Sequence, residues 1–266
     1  MTAGEQMLAD LDAAMTGGGG ALAAADRLCA ACVRLLGVDG ASVTLVHEGS
    51  SRGTFGSSGP LSRELDELQF TYGEGPCLDA VARGGPVLSP DLADPAEQRW
   101  PVLRSGLLER GIGAVFAFPV TLSAAHIGAL DLFRHAHGPL SDEATAAAAQ
   151  AARLAGLPLL DLMASSTGDP AAVRSPDDGA GGRGQQAAAA QLRSLHRVEV
   201  YQATGMLVAA WDVDPAQALA RLRAHAFTLG LTASALASAV VDRRVLMTDD
   251  GWAAPPQAGG TTRPPT

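Results

Sequence analysis

The chain has 266 residues with a net charge of −9 and 47% hydrophobic residues, a length that allows one large domain or two modest ones with buried cores. No cationic segment precedes an apolar run at the amino terminus, and no apolar run reaches the roughly 18 residues that span a bilayer. Three cysteines, an odd number, do not make a disulfide framework. From these three observations together we expect a cytoplasmic protein of two domains without a membrane partner.

The first predicted element is an amphipathic helix within an arm of residues 1–20. Residues Met1 to Met15 have helical spacing, and the run Gly17 to Gly20 is expected to break that helix before any domain begins. We predict that this arm is flexible and that the first domain covers residues 21–164.

Segment 21–164 contains strand and helix patterns in an order typical of an α+β domain. β-rich runs with alternating or short apolar patterns predict strands at Ala41–His47, Thr54–Ser57, Val87–Ser89, Val115–Val120 and Ile127–Phe133. Helical spacing of apolar residues predicts helices at Ala21–Leu36, from Leu61 to Leu68, at Trp100–Arg110 and from Ser141 to about Met163. The expected fold is an antiparallel sheet flanked by helices.

The loop Phe70–Cys77, which contains two glycines and a proline, is the best candidate for a ligand site in this domain. In this loop Tyr72 would stack on a ligand and Glu74 would accept hydrogen bonds from it. The alternative is that the glycines only form a tight turn and that the loop binds no ligand. Cys77 is expected at a helix N-terminus, where amides lower a thiol pKa, but packing beside a pocket is favoured for it. We predict Tyr72, Glu74 and Cys77 as ligand-binding residues, with the ligand and any cofactor unknown.

The remaining cysteines and histidines do not predict catalysis or metal binding. Cys29 and Cys32 have the spacing of a redox motif, but the pair falls in the middle of a predicted helix rather than at its start, which favours core packing. The strands Val115–Val120 and Ile127–Phe133, separated by the turn at Ser123–Ala125, predict a β-hairpin. Three histidines near this hairpin fall on a solvent face more readily than in a metal site, namely His126, His135 and His137. We expect no metal and no catalytic residues.

The carboxy-terminal part begins with a predicted flexible linker at 165–184, which is rich in Ser, Gly, Pro and Asp. Three short helices are then predicted within 185–247, with Asp214 and Thr232 as N-caps and Gly230 as the residue that ends the second helix. Gly205 falls inside the first helix, where close approach of another backbone would explain a glycine. Residues 248–266 are predicted to be a disordered tail.

Charge is distributed unevenly between the two predicted domains. Residues 1–165 contain 10 arginines and 19 acidic residues, a net charge of −9, whereas residues 185–247 contain 6 arginines and 4 acidic residues, a net charge of +2. All basic side chains are arginine, since the chain has no lysine. This asymmetry favours a nucleic-acid-binding module attached to an acidic domain.

The motifs within residues 21–164 resemble those of the GAF family of small sensory domains. The resemblance is carried by Tyr72–Cys77, Asp91-Leu92, Trp100-Pro101, Pro119 and Ile127-Gly128-Ala129-Leu130. It implies a domain that senses a small-molecule signal.

The predicted three-helix segment resembles the ANTAR family, which are RNA-binding modules of bacterial transcription antiterminators. The matching residues are Val198, Ala203, Gly205, Met206, Leu207, Asp214, Ala218, Leu222, Arg223, Ala226, Leu231, Leu236, Ala237 and Val240. One departure is Thr204, where the family usually has a lysine. The resemblance implies an all-α three-helix bundle that binds paired stem-loops in a nascent transcript and blocks terminator formation. The whole chain then resembles a non-enzymatic, signal-responsive antitermination regulator.

Binding of structured RNA requires arginine or amide hydrogen bonds, stacking and phosphate contacts. The side chains in 185–247 that can supply these are Arg193, Arg197, Gln202, Arg221, Arg223 and His225. For each of them a solvated helix face is the alternative explanation. A homodimer is one option for the oligomeric state, which the sequence leaves open.

Two other functions fit parts of the sequence. A DNA-binding helix-turn-helix regulator also has three short helices, but the third helix, Ala233 to Val241, has no Arg, Asn or Gln to read base edges. A thiol-based enzyme or redox sensor on the GAF fold would use Cys77 with another cysteine. Binding of duplex DNA in preference to stem-loop RNA would support the first, and turnover that requires the cysteines would support the second.

Overall fold

The computed structural model describes residues 2–47, 49–166, 197–245, 247–248 and 251–252. They belong to two compact units that divide between residues 196 and 197. Most of the predicted linker at 165–184, most of the predicted tail at 248–266, and Arg193 lie outside the described residues.

The first unit alternates helices and strands along the chain. Its helices are α1 (Ala3–Met15), α2 (Gly20–Leu36), α3 (Pro60–Tyr72), α4 (Pro76–Arg83), α5 (Pro101–Glu109) and α6 (Asp142–Ser166). Its strands are β1 (Gly40–His47), β2 (Ser50–Ser57), β3 (Val87–Ser89), β4 (Ala114–Leu122) and β5 (Ala125–Arg134). The strands form one sheet in the order β2-β1-β5-β4-β3, and every neighbouring pair is antiparallel. The predicted α+β class with an antiparallel sheet is confirmed.

One face of the sheet, which we call the apolar face, is covered by α1, α2 and α6. Large side chains of β4 and β5 are buried here, among them Phe116, Phe118 and Leu130. α6 meets them with a row of small buried side chains: Ala144, Ala147, Ala148, Ala151, Ala152 and Ala155. Small side chains let a helix axis approach the sheet closely, and a Cβ atom added at Gly156 would lie 3.0 Å from the Thr121 carbonyl oxygen.

Residues 1–20 differ from the flexible arm that the sequence predicts. α1 begins with a capping box between Thr2 and Glu5, and its Leu11 is fully buried in the core cluster of the apolar face. Arg27 of α2 donates hydrogen bonds to the carbonyl oxygens of Ala14 and Gly18, at 3.1 and 2.8 Å. The glycine run therefore turns the chain so that α1 packs against α2 and α6, because Leu11 has apolar partners there.

The other face, which we call the pocket face, is covered by α3, α4 and α5. Two boundaries here differ from the sequence prediction. α3 continues to Tyr72, so the predicted loop at Phe70–Cys77 is reduced to Gly73–Gly75, and β2 begins at Ser50 rather than near Thr54. Apolar side chains of the three helices pack on this face, including Leu68, Cys77 and Leu103.

The second unit contains α7 (Val198–Trp211), α8 (Pro215–Thr228) and α9 (Ala233–Val241), followed by the short strands β6 (Met247–Thr248) and β7 (Gly251–Trp252). The predicted caps are confirmed: the backbone N–H of Gln217 donates to Asp214 Oδ1 at 2.8 Å, and that of Ala235 donates to Thr232 Oγ1 at 3.2 Å. Gly230 follows α8 with a φ of +64°, as expected for a residue that ends a helix. Among the described residues no single helix could span a bilayer, and α8 with α9 would reach the required length and hydropathy only as a pair bent by 106°.

Two predictions for this unit are wrong in detail. Gly205 is exposed, and a Cβ atom added to it would have no heavy atom within 4 Å, so no backbone approaches it. The inward side of α7 is formed instead by Ala203 and Leu207, which are fully buried. Gly251 and Trp252, assigned to a disordered tail, pair with β6.

Candidate functional site

A cluster of polar side chains lies on the pocket face between the sheet and α3. Alternation along the strands accounts for it: Val43 and Leu130 belong to the core of the apolar face, so their neighbours Thr44 and Asp131 point the other way. The members of this cluster, which we call the polar cluster, are Thr44, Ser51, Thr54, Asp66, Gln69 and Asp131. All are buried except Thr54, which is half-buried.

Hydroxyl groups of β1 and β2 surround the carboxylate of Asp66, which is fully buried. Thr44 Oγ1 donates to Asp66 Oδ1 at 2.7 Å, and Thr54 Oγ1 donates to Oδ2 at 2.5 Å. Ser51 Oγ lies 3.5 Å from Oδ1. Hydrogen bonds of this kind replace those that the carboxylate loses when it leaves water.

Asp131 is the second carboxyl group of the polar cluster, and it is less well supplied with partners. Its Oδ2 accepts a hydrogen bond from Gln69 Nε2 at 3.3 Å and lies 3.3 Å from Thr44 Oγ1, whereas Oδ1 has no hydrogen-bond partner within the described part of the chain. Burial, and secondarily the nearby charge of Asp66, raises the pKa of Asp131 well above its ordinary value. A neutral carboxyl group carries a proton that it can donate to a ligand.

A small cavity adjoins Asp131 on the pocket face. Its volume is about 20 Å³, which is room for one water molecule. The lining is mostly apolar and consists of Ser42, Leu65, Gln69, Pro76, Leu103, Leu107, Val115, Asp131, Leu132 and Phe133. Apolar walls with a few polar groups are typical of small-molecule sites, and a larger ligand requires the covering helices to move.

The short loop before α4 sets the orientation of Gln69. The backbone N–H of Cys77 donates to Gln69 Oε1 at 3.0 Å, and because an N–H can only donate, the amide nitrogen of Gln69 faces Asp131. Gly75 has a φ of +153°, and a Cβ atom there would lie 2.2 Å from Gln69 Oε1. Only glycine therefore allows this close approach between the loop and the Gln69 side chain.

The three predicted ligand-binding residues lie around this cavity but not in its wall. Cys77 is fully buried in the core of the pocket face, and Tyr72 is half-buried beside Gly106 of α5. Glu74 Oε1 accepts hydrogen bonds from the backbone N–H groups of Val102 and Leu103, at 2.8 and 2.9 Å. Glu74 thus caps α5, and direct ligand contact by these three residues stays a prediction.

Sequence reasoning missed Gln69 and Asp131. The signal that was available is an aspartate inside the apolar strand Ala129–Phe133, and two polar residues, Asp66 and Gln69, on the same side of α3 as Leu65. An unexplained polar residue in an apolar strand costs free energy unless it is paired, which makes it a candidate functional residue.

The other two cysteines are fully buried in α2. Burial raises the pKa of Cys32 to about 12, and burial together with the neighbouring Cys32 raises the pKa of Cys29 well above its ordinary value. Both thiols are therefore held protonated at neutral pH, which favours packing over thiolate chemistry.

In the second unit, the predicted RNA-binding residues differ in exposure. Gln202 and Arg221 are exposed, and Arg223 and His225 are half-buried. Arg197 is only 8% exposed at the start of α7, which does not fit the alternative of a solvated helix face, and RNA contact by Arg197 stays a prediction.

Three aromatic side chains of the second unit meet beside Arg221, and we call them the aromatic cluster: Trp211, His225 and Trp252. Trp252 stacks on His225 with ring centroids 4.2 Å apart, and Trp211 meets Trp252 edge to face at 5.1 Å. The guanidinium carbon of Arg221 lies 5.4 Å from the centroid of the Trp211 ring. Desolvation lowers the pKa of His225.

Comparison with protein families identifies the fold and class of the first unit. Residues 23–158 match the family model of the GAF domain. The chain belongs to the GAF domain family. No curated protein sequence matches it.

Three solved structures are similar to part of this chain, and the one with a TM-score of 0.50 supports the same fold. The GAF domain of phosphoenolpyruvate-protein phosphotransferase from Acinetobacter is 13% identical, with a TM-score of 0.50 over 63% of this chain and 99% of that chain. The GAF domain of the phosphoenolpyruvate-protein phosphotransferase ptsP from Coxiella burnetii is 16% identical, with a TM-score of 0.48 over 62% and 96%. Free methionine-R-sulfoxide reductase from Neisseria meningitidis is 18% identical, with a TM-score of 0.45 over 59% and 88%. At such identities the similarity indicates the fold alone.

Proposed function

We propose that this protein is a cytoplasmic, signal-responsive antitermination regulator in which the GAF domain senses a small molecule and residues 185–247 form an ANTAR module that binds stem-loop RNA. The observation that carries the RNA part is the compact three-helix unit with its sequence-specified caps at Asp214 and Thr232 and an exposed Arg221. Residues 185–247 have a net charge of +2, against −9 for residues 1–165, and this difference supports binding of phosphate by the proposed module.

The composition of α9 supports RNA over duplex DNA. Five of its nine residues are buried, and the helix has no arginine or amide side chain to read base edges in a major groove. Single-stranded loops instead present unpaired bases to arginine, amide and aromatic side chains. Gln202, Arg221 and the aromatic cluster supply these groups.

The proposed sensor site is the cavity beside Asp131. A neutral carboxyl group and the Gln69 amide can both donate hydrogen bonds, so the preferred signal is a small, largely apolar molecule with a hydrogen-bond acceptor such as a carbonyl oxygen. Repositioning of Gln69 by such a ligand would move the start of α4, because Gln69 Oε1 holds the Cys77 N–H.

RNA binding is tested with the full-length protein. RNA crosslinked in cells is sequenced, and a recovered stem-loop is titrated against the purified protein at several salt concentrations. We expect Arg221→Ala to weaken binding and to reduce the slope of log affinity against log salt by about 1, as loss of one phosphate contact would. Arg153→Ala, an exposed arginine of α6, is the matched control and should change neither quantity. Tighter binding to duplex DNA than to the stem-loop would contradict the proposal.

A further inference from the structure

The aromatic cluster is built more rigidly than a chance surface contact. Trp211 Nε1 donates a hydrogen bond of 2.8 Å to the carbonyl oxygen of Thr248, and Thr248 Oγ1 donates to the carbonyl oxygen of Gly251 at 3.2 Å. These bonds fix the β6–β7 pair against the end of α7 and place Trp252 on the ring of His225. The rings are therefore oriented before any ligand arrives, which lowers the entropic cost of binding.

The cluster borders an open groove of about 340 Å³. The groove is lined by Trp211, Arg221, Ala224, His225, Thr228, Gly251 and Trp252. Trp211, His225 and Trp252 are only partly buried, so ring surface remains accessible at its wall. This volume is at the small end of the range for ligand pockets, which is suitable for one planar heterocycle rather than for a large molecule.

The side chains that line the groove restrict the chemical class of the ligand further. Aromatic rings and a planar guanidinium group are the side chains on which unpaired bases stack, and Arg221 adds a positive charge beside the rings for a neighbouring phosphate. Because the pKa of His225 is lowered, its imidazole is neutral at neutral pH and adds stacking surface rather than charge. A base inside a duplex is already stacked on its neighbours, so a loop or single strand is the suitable source.

We infer that the groove at Trp211, Arg221, His225 and Trp252 binds a single unpaired nucleobase of single-stranded RNA by stacking. The inference rests on the proposed RNA-binding function and adds the chemical class that this surface recognises. The base lies against the tryptophan and histidine rings, and the adjoining phosphate lies toward Arg221.

The test uses the full-length protein with two ten-nucleotide probes, oligoadenylate and a ribose-phosphate oligomer of the same length without bases. We expect oligoadenylate to quench tryptophan emission and the abasic oligomer to bind without quenching. Trp252→Ala should weaken oligoadenylate binding about tenfold, the loss expected for one stacked base, and leave the affinity for the abasic oligomer unchanged. Trp252→Phe keeps an aromatic face and should retain most of the affinity.

Two controls separate stacking from folding and from the proposed function. Trp100→Phe changes a tryptophan of the first unit that is only 5% exposed, and quenching by oligoadenylate should persist in this variant. Equal losses of both probes in Trp252→Ala, or an absence of quenching in the wild type, would overturn the stacking site. If the protein binds a stem-loop but no RNA probe quenches its tryptophan emission, the stacking site is overturned and the proposed function stands. Binding of oligoadenylate with no affinity for stem-loops would overturn antitermination and support the stacking site.

Discussion

The two faces of the five-stranded sheet are made by the same strands but contain different chemistry. On β5, Leu130 and Leu132 belong to the core of the apolar face, whereas Asp131 between them belongs to the polar cluster of the pocket face. The apolar face is filled by phenylalanine, leucine and alanine side chains. The pocket face leaves a cavity beside Asp131, whose Oδ1 lacks a hydrogen-bond partner among the described residues. One strand thus contributes both to packing and to the proposed sensor site.

This difference has an energetic consequence. Burial of apolar surface on the apolar face stabilises the fold by about 25 cal/mol per Å² removed from water. Burial of Asp131 works in the opposite direction, because its charged form is penalised and its Oδ1 accepts no hydrogen bond within the described part of the chain. We therefore expect the helices over the pocket face to be the part of the domain that a ligand can rearrange.

The largest effect is expected from a cavity on the apolar face. Phe118 is 1% exposed in the core cluster there, so Phe118→Ala should lower the free energy of unfolding by about 3–5 kcal/mol, measured by urea denaturation. Leu88→Ala on β3, where the leucine is 40% exposed, is the matched control and should cost less than about 0.5 kcal/mol. A loss below about 1 kcal/mol for Phe118→Ala would show that the apolar face does not dominate stability.

The sequence predicts those parts of the fold that depend on neighbouring residues. Alternation and helical spacing identify most of the strands and helices, and the caps at Asp214 and Thr232 are correct because the donor N–H in each lies three residues away. Prediction of the hairpin of β4 and β5 succeeds for the same reason, since its strands are joined by a short turn.

The parts that sequence reasoning missed depend on distant partners. Glu74 caps a helix that begins 27 residues later, at Pro101, and Trp100 at its N-cap position makes no side-chain cap. Gln69 meets Asp131 across 62 positions of the chain. Leu11 is likewise buried by partners on α2 and α6, which no pattern within residues 1–20 reveals. Side chains that act at such separations can be recognised only when the fold brings them together.

The pocket face should show its difference from the apolar face in the pH dependence of stability. The pKa of Asp131 is raised in the folded state, so its contribution to stability is complete below the pKa of the unfolded chain and declines as the pH rises above about 4. An asparagine side chain at this position cannot ionise. The free energy of unfolding of Asp131→Asn relative to the wild type should therefore rise with pH, by at most about 1.4 kcal/mol per pH unit.

The measurement is urea denaturation of both proteins from pH 4 to pH 8. Asp12→Asn, at an exposed position of α1, controls for the loss of one negative charge and should run parallel to the wild type. If the free energies of unfolding of Asp131→Asn and the wild type change with pH in parallel, Asp131 has an ordinary pKa in the folded state. The two faces would then differ in packing and in the cavity but not in the protonation of Asp131.

The smallest effect is expected from Glu74, which holds the N-terminus of α5 over the pocket face. Glu74 accepts two backbone hydrogen bonds at the N-terminus of α5, where a negative charge is favourable, whereas Glu64 pairs with Arg110 just beyond the other end of that helix. Glu74→Gln should lower the free energy of unfolding by about 1 kcal/mol, since the amide oxygen keeps weaker versions of these bonds. Glu64→Gln removes a partly exposed ion pair and should cost less than about 0.5 kcal/mol. Equal losses in urea denaturation would mean that Glu74 acts as an ordinary surface charge, and that α5 is held over the cavity by its apolar side chains alone.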